Sequence, residues 1–179
     1  MSRFLDIWLP WLADLLEMGG PIVVLILFIA AVIWILLFER IYFFSRVYPK
    51  VLDVARSAWR KRAERQSWFA YQQRNDFVST LGSGLTKNYP LIGTLIKVCP
   101  LLGLLGTVLG MLEVFDALAA TGSNNPRSMA EGVSKATIST LAGMVVAIVA
   151  LLVNTVAERR AKAEKERLPS YFEGGQSNA

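Results

Sequence analysis

The sequence has 179 residues, of which 54% are hydrophobic and only 18% are charged. A soluble domain carries about 25% charged residues, so this apolar excess indicates an integral membrane protein, and the helical spans described below make it all-α. Histidine is absent, which removes the usual general base and the commonest metal ligand. The single cysteine, Cys99, excludes an intramolecular disulfide. We therefore expect no enzymatic activity, no metal and no cofactor.

Residues 1–19 are predicted to form an amphipathic helix in the outer, periplasmic interface of the membrane. Acidic residues, among them Asp6 and Asp14, interrupt its apolar sequence, which argues against a cleavable signal peptide. Gly19, Gly20 and Pro21 follow and predict a corner that leads into the first membrane span.

The first transmembrane helix is predicted over residues 20–41. Its uncharged run begins at Pro21, ends at Phe38 and is closed by Glu39 and Arg40. That length is close to the ~20 apolar residues needed to cross a bilayer. The loop that follows, residues 42–90, mixes charged and aromatic residues at helical spacing, so we expect it to be helical.

The second and third transmembrane helices are predicted over residues 91–119 and 130–157, joined by a link at 120–129. Lys97 and Glu113 bracket an uncharged run too short to cross the bilayer by itself. We therefore expect the second helix to include both charges, each reaching toward one interface. The third span holds no charge from Ala136 to Ala157, and we expect residues 169–179 to form a frayed end.

The distribution of basic residues predicts the orientation. Most Lys and Arg residues lie in the loop 42–90 and in the tail 158–179, whereas the amino-terminal segment has only Arg3 and the link only Arg127. The positive-inside rule places the loop and the tail in the cytoplasm and the amino terminus outside. Topology and anionic lipid explain the pI of about 9.6 more simply than nucleic-acid binding does.

Small residues recur at close-packing intervals on the second and third helices. Such spacing lets helix backbones approach closely, either within one chain or between subunits of an oligomer. The sequence leaves both alternatives open. The predicted packing residues are Gly103, Gly106, Gly110, Ser139, Gly143 and Ala147.

Polar residues within these two helices predict a polar, lumen-lining face. Thr107 and Thr140 fall at comparable depth, about 13–18 Å from the outer ends of their helices, and Thr137 and Asn154 share the face of Thr140. No acidic residue stands near the midplane. If the protein conducts protons, we expect the titrating carboxylate to come from another chain.

Toward the outer side, Glu131 and Lys135 are four residues apart, in the order that favours an ion pair along one helix. The sequence therefore predicts that these two residues pair with each other.

Two segments of the chain together resemble the ExbB/TolQ/MotA family, and within it the ExbB branch. They are LLGLLGTVLGMLEVFDAL at 101–118 and MAEGVSKATISTLAGMVVAIVALLVN at 129–154. Thr107 and Thr140 match the lumen threonines of that family. Lys135 stands where many members carry a glutamate, so a role of that glutamate in proton transfer does not carry over, and the chain resembles a divergent branch.

The resemblance implies a pentameric ring in a Gram-negative inner membrane, with the second and third helices around a lumen. Inside the lumen would stand single-span ExbD-like partners, each with a membrane aspartate. Proton motive force would drive a motion that a TonB-like protein conveys to outer-membrane import of siderophore-iron, haem or cobalamin.

Three other functions remain open from the sequence. The chain could be a TolQ-like subunit that energises outer-membrane constriction, or a non-energised membrane scaffold or passive channel. A flagellar stator subunit of the MotA kind is less expected, because the loop of about 50 residues is short for gripping a rotor. A copurifying single-span protein with a membrane aspartate would distinguish the energised functions from the scaffold.

Overall fold

The structure, a computed structural model, describes residues 10–61, 67–121 and 126–172. Within these ranges the chain is helical apart from short turns and contains no strand. The helices are α1 (Pro10–Tyr42), a π-helical segment (Phe43–Val47), α2 (Tyr48–Arg60), α3 (Trp68–Thr86), α4 (Tyr89–Thr121) and α5 (Pro126–Tyr171).

Three helical stretches of the described chain are long and apolar enough to cross a membrane. They are Gly19–Arg60, Trp68–Ala119 and Met129–Tyr171. The prediction of an all-α protein with three membrane helices is therefore confirmed. Of the predicted interfacial helix 1–19, residues 1–9 lie outside the described residues, as do residues 122–125 of the predicted link.

The helix α1 is interrupted at Gly20. This glycine has φ 66° and ψ −169°, a backbone conformation that side chains with a Cβ rarely adopt. Pro21, which follows, has no backbone N–H to donate to the preceding turn. The break falls within Gly19-Gly20-Pro21, where the sequence predicts a corner.

The chain divides into two compact units. The first unit consists of Met1–Trp34 and Gly93–Leu151, and the second of Ile35–Ile92 and Leu152–Ala179. Each has a core of its own.

In the first unit, α1 buries an apolar residue every three or four positions, which is one face of a helix. The helices α4 and α5 bury mainly small residues and expose large ones instead, including Leu104, Val108, Leu141 and Ile148. A soluble protein would bury such side chains, so this inversion is typical of a membrane helix bundle. The buried α1 residues are Val23, Ile26, Ala30 and Ile33.

The second unit is built on aromatic and aliphatic clusters formed by α2, α3 and the last turns of α5. Tyr48, Leu52, Leu85 and Leu168 form one cluster. A second cluster contains Ala55, Trp59, Ala70 and Phe172. The predicted loop 42–90 is thus helical in the parts that the structure describes.

The carboxyl-terminal residues correct one prediction. Residues 169–179 were expected to form a frayed end, but α5 continues to Tyr171 and Phe172 is 3% exposed. The ring of Phe172 meets the Trp59 ring edge-on at 6.2 Å and stacks on Phe77 at 6.0 Å. Burial of this aromatic side chain stabilises the end of the helix. Residues 173–179 lie outside the described residues.

Candidate functional site

The helices α4 and α5 approach each other closely through glycine. A methyl group built at Gly103 would lie 3.0 Å from Cα of Thr140, and one built at Gly110 would lie 3.0 Å from Cβ of Ala136. A methyl group at Gly143 would lie 2.6 Å from the backbone oxygen of Cys99. A side chain at any of these positions would force the two backbones apart.

Two hydroxyl groups of α5 lie close to one carbonyl of α4, and that of Thr140 donates to it. Thr140 Oγ1 donates to the carbonyl oxygen of Gly103 at 3.1 Å. Ser139 Oγ lies 3.4 Å from the same oxygen and donates to Ala136 O, on its own helix, at 2.8 Å. The absence of a side chain on Gly103 is what allows both hydroxyls to reach its carbonyl.

All six of the predicted packing residues are buried within this single chain. Five of them take part in the close contact between α4 and α5, and Ala147 is 8% exposed. Packing within one chain was one of the two alternatives that the spacing left open. Gly132 is also buried, beside Val114, but the small-residue spacing did not predict it as a packing residue.

The contacts also set the register of the two helices. Gly103 is opposite Thr140, and Gly110 is opposite Ala136. Thr107 lies between these contact points, so Thr107, Thr137 and Thr140 fall within about one helical turn, ~5 Å, along the helix axes. The three hydroxyls are therefore at matched depth. Thr137 is exposed, and Thr107 and Thr140 are partly buried.

Each of these threonine hydroxyls has a backbone acceptor. Thr107 Oγ1 donates to Leu104 O at 2.6 Å, and Thr137 Oγ1 donates within its own helix, with Ser134 O at 2.9 Å. A hydroxyl has one hydrogen to donate and two lone pairs that accept. With their hydrogens engaged, these side chains offer lone pairs, which bind the O–H of a protonated acid but not a carboxylate.

Asn154 does not fit the predicted face. Its side chain is 4% exposed, and its Oδ1 has no hydrogen-bond partner among the described residues. A side chain buried inside one protomer cannot line a lumen enclosed by several. Helical periodicity predicts that Asn154 shares a face with Thr140, but it does not show which part of the helix surface packs inward.

Lys135 has a different partner from the predicted one. Its Nζ lies 2.9 Å from Glu113 Oε2 on α4, so the ion pair joins two helices instead of linking Glu131 and Lys135 along α5. The close approach of α4 and α5 at Gly110 brings Glu113 within reach. Glu131 is exposed.

A cavity of about 300 Å³ adjoins this ion pair. Gly20, Glu113, Asp116 and Lys135 are among the residues that line it. The backbone break at Gly20 therefore lies beside charged groups of α4 and α5. No local sequence pattern indicates this grouping, because it depends on how the three helices pack.

The middle of the two helices is free of charged side chains. Neither Val98–Leu112 nor Ala136–Ala157 contains an acidic or a basic residue. Among the residues that the structure describes, no cluster of Cys, Asp and Glu side chains could hold a metal ion. Apart from the buried Asn154 amide and the buried Cys99 thiol, the polar side chains in these two stretches are hydroxyls, which can bind a proton carrier but cannot titrate.

These features define a multi-pass helical membrane protein with a tightly packed, hydroxyl-bearing pair of helices. The chain belongs to the MotA/TolQ/ExbB proton channel family, which it matches over residues 55–169. This match confirms the resemblance to the family that residues 101–118 and 129–154 indicate.

The similar curated proteins are named for biopolymer transport. The chain is 44% identical over 81 residues to biopolymer transport protein exbB1 of Vibrio cholerae, covering 45% of this chain and 32% of that protein. It is 30% identical over 92 residues to ExbB of Helicobacter pylori, covering 51% of this chain and 63% of that protein. It is 29% identical over 91 residues to ExbB of Salmonella typhimurium, covering 51% of this chain and 37% of that protein.

The chain thus spans less than two thirds of the length of each of these relatives. No solved structure matches it significantly.

Proposed function

We propose that the chain is the multi-pass subunit of an ExbB-like proton-driven motor in a Gram-negative inner membrane. It would act with an ExbD-like single-span partner, and a TonB-like protein would carry the motion to outer-membrane import of siderophore-iron, haem or cobalamin. Membership of a proton channel family and similarity to proteins named ExbB support this proposal.

The observation that carries the proposal is a hydroxyl-bearing face in the middle of α4 and α5, where neither helix has an acidic residue. Thr107, Thr137 and Thr140 are the polar side chains at matched depth, and none of them can hold or release a proton at physiological pH. A proton pathway through this region therefore needs a titratable group from a second chain. An aspartate on a single-span partner would supply that group.

The hydrogen-bond pattern gives the face a preference between the two states of such an aspartate. With their own hydrogens engaged, Thr107 and Thr137 accept a hydrogen bond from the protonated acid. An ionised carboxylate would gain no such bond and would be costly in an apolar lumen. Proton uptake would thus favour binding to this face, and proton release would favour departure from it.

The driving energy is of the right order for such a cycle. One elementary charge that crosses 100 mV releases about 2.3 kcal/mol, which exceeds the ~0.5–1.5 kcal/mol of a typical net hydrogen bond. A proton moved per step can therefore break the contact between the acid and the threonine face. A permanent charge on this face would trap the partner in an ion pair instead.

Assembly into a ring accounts for the large exposed side chains of α4 and α5. Leu104, Val108, Leu141 and Ile148 are exposed in the single chain and would be covered by lipid, by neighbouring copies or by the partner. A pentamer is the assembly that the family resemblance implies. In this arrangement the amino terminus is periplasmic, and the loop 42–90 and tail 158–179 are cytoplasmic.

The test is proton flux in vesicles that contain the chain together with its single-span partner. We expect Thr107→Val combined with Thr140→Val to lower the flux about tenfold, because two acceptor sites are lost. The matched control, Thr107→Ser with Thr140→Ser, keeps both hydroxyls and should retain most of the flux. Native mass spectrometry of the same preparations reports subunit number and partner.

Two outcomes would overturn the proposal. One is that the valine variant assembles normally and conducts as well as wild type. The other is that no single-span protein with a membrane aspartate copurifies and that activity is insensitive to uncouplers. The second result would favour a membrane scaffold.

A further inference from the structure

The second unit contains a cavity of about 660 Å³. This volume lies within the ~300–1,000 Å³ range of small-molecule sites. Its apolar lining includes Ile41 and Phe44, at and just beyond the end of the first span, and Leu152 and Val156, near the end of the third span. Ile41, Leu152 and Val156 are exposed, so the apolar walls are open to the surroundings.

The lining of the same cavity also includes polar side chains. Arg160 and Ser45 line it together with the apolar walls. Arg160 follows the last uncharged residue of the third span, Ala157, by one turn of helix. The cavity therefore straddles the level at which acyl chains give way to head groups.

Among the residues that the structure describes, no acid neutralises the charge of Arg160. The side chain is exposed and has no ion-pair or hydrogen-bond partner in the part of the chain that the structure describes. The nearest acid in sequence, Glu158, is bound by Lys162 at 2.7 Å. An arginine at the rim of an apolar groove can form paired hydrogen bonds with a phosphate.

We propose that this cavity binds an anionic phospholipid of the leaflet that faces the basic loop and tail. An acyl chain would lie along Leu152 and Val156, and the phosphate would accept hydrogen bonds from Arg160 and from the hydroxyl of Ser45. The apolar groove matches the acyl chains of a phospholipid. The uncompensated arginine and the hydroxyl at the interface match its phosphate. The site does not depend on the proposed motor function.

The test is native mass spectrometry of the full chain, purified in mild detergent with an equal mixture of phosphatidylglycerol and phosphatidylcholine. We expect wild type to retain phosphatidylglycerol preferentially. Arg160→Gln should reduce this preference about fivefold, since one basic side chain near an anionic surface contributes about 1 kcal/mol. Val156→Trp fills the groove and should reduce retention of both lipids.

Two matched variants separate the site from general effects. Arg159→Gln removes a neighbouring exposed charge that does not line the cavity, and Val54→Trp makes the same substitution at an exposed position of α2 that does not line the cavity either. Both should retain lipid as wild type does. Equal effects of Arg159→Gln and Arg160→Gln would overturn the proposal, as would undiminished retention in Val156→Trp. The proposal would also be overturned if wild type retained no lipid and Val156→Trp failed to assemble. That result would assign the groove to a contact between copies of the chain.

Discussion

The hydroxyl of Thr140 donates to the carbonyl oxygen of Gly103 at 3.1 Å, across the contact between α4 and α5. This bond requires the two backbones to be close, and only a residue without a side chain at 103 permits that approach. The polar and the steric features of the two helices therefore depend on each other. Loss of the close contact would also displace the threonine face.

Gly143→Ala tests the close contact. Its added methyl group would meet the Cys99 carbonyl oxygen at 2.6 Å, and since this neighbour is backbone, a helix must move. We expect the free energy of unfolding to fall by about 1–3 kcal/mol, measured by denaturant titration in mild detergent.

Gly93→Ala is the matched control for that substitution. A methyl group at Gly93 has no neighbour within 4 Å, and alanine is the better helix former. Stability should stay unchanged or rise by up to about 1 kcal/mol. If both variants lose the same stability, the contact at Gly143 does not limit helix approach.

The membrane helices and their packing residues could be predicted because they depend on local sequence. An uncharged run from Pro21 to Phe38 has the length of a bilayer crossing wherever it occurs in a chain. Glycines four residues apart, such as Gly106 and Gly110, mark a face that allows close approach. Neither inference requires knowledge of the neighbouring helix. Such knowledge is needed to decide whether the face packs within one chain or between chains.

The errors concern properties that depend on tertiary packing. Glu113 and Lys135 meet because the register of α4 and α5 brings them together, whereas sequence spacing indicates only pairs along one helix. Asn154 is buried because its face of α5 packs inward. Phe172 has a docking place formed by α2 and α3, which no local pattern at the carboxyl terminus reveals.

The ion pair between Lys135 and Glu113 is expected to stabilise the bundle modestly. Their side chains are 30% and 56% exposed, and exposed pairs contribute about 0.2–1 kcal/mol. A double-mutant cycle with Lys135→Gln and Glu113→Gln should give a coupling energy in that range. The parallel cycle with Glu131→Gln should give none. Coupling to Glu131 instead would restore the pairing that the sequence predicts.

Arg40 is expected to hold the end of α3 in place. Its guanidinium is 7% exposed, is bound by the Glu39 carboxylate, and donates through Nη1 to the carbonyl oxygens of Gly84 and Lys87, each at 3.2 Å. These carbonyls lie at a helix end, where partners within the helix are missing. Arg40→Met should lower the free energy of unfolding by about 1.5–3 kcal/mol.

Arg40→Lys separates the geometry of the guanidinium from its charge. Lysine keeps the charge but lacks the planar fork, so it should recover less than half of the loss. Arg46→Met, at an exposed position, should change stability by less than about 0.5 kcal/mol. Full recovery by lysine would show that charge alone is sufficient at this position.

Tyr48 is expected to make the second unit sensitive to alkaline pH. Its hydroxyl donates to Glu164 Oε1 at 3.2 Å. Burial, and then the negative charge of Glu164, raise the pKa of Tyr48 above its usual value. A group whose folded pKa is raised contributes stability that is fully present below its unfolded pKa of about 10 and is lost as the pH rises toward the folded value.

Tyr48→Phe removes this titration while it keeps the ring that stacks on Phe44 at 5.8 Å. Near pH 7 it should cost about 0.5–1.5 kcal/mol, the value of one hydrogen bond. Above about pH 10, the melting temperature of the variant should fall less steeply than that of wild type. Tyr71→Phe, at a position that is 58% exposed, should leave the steepness unchanged. Equal alkaline slopes for Tyr48→Phe and wild type would mean that ionisation of Tyr48 does not limit stability, and that burial of its hydroxyl beside Glu164 costs the folded state little.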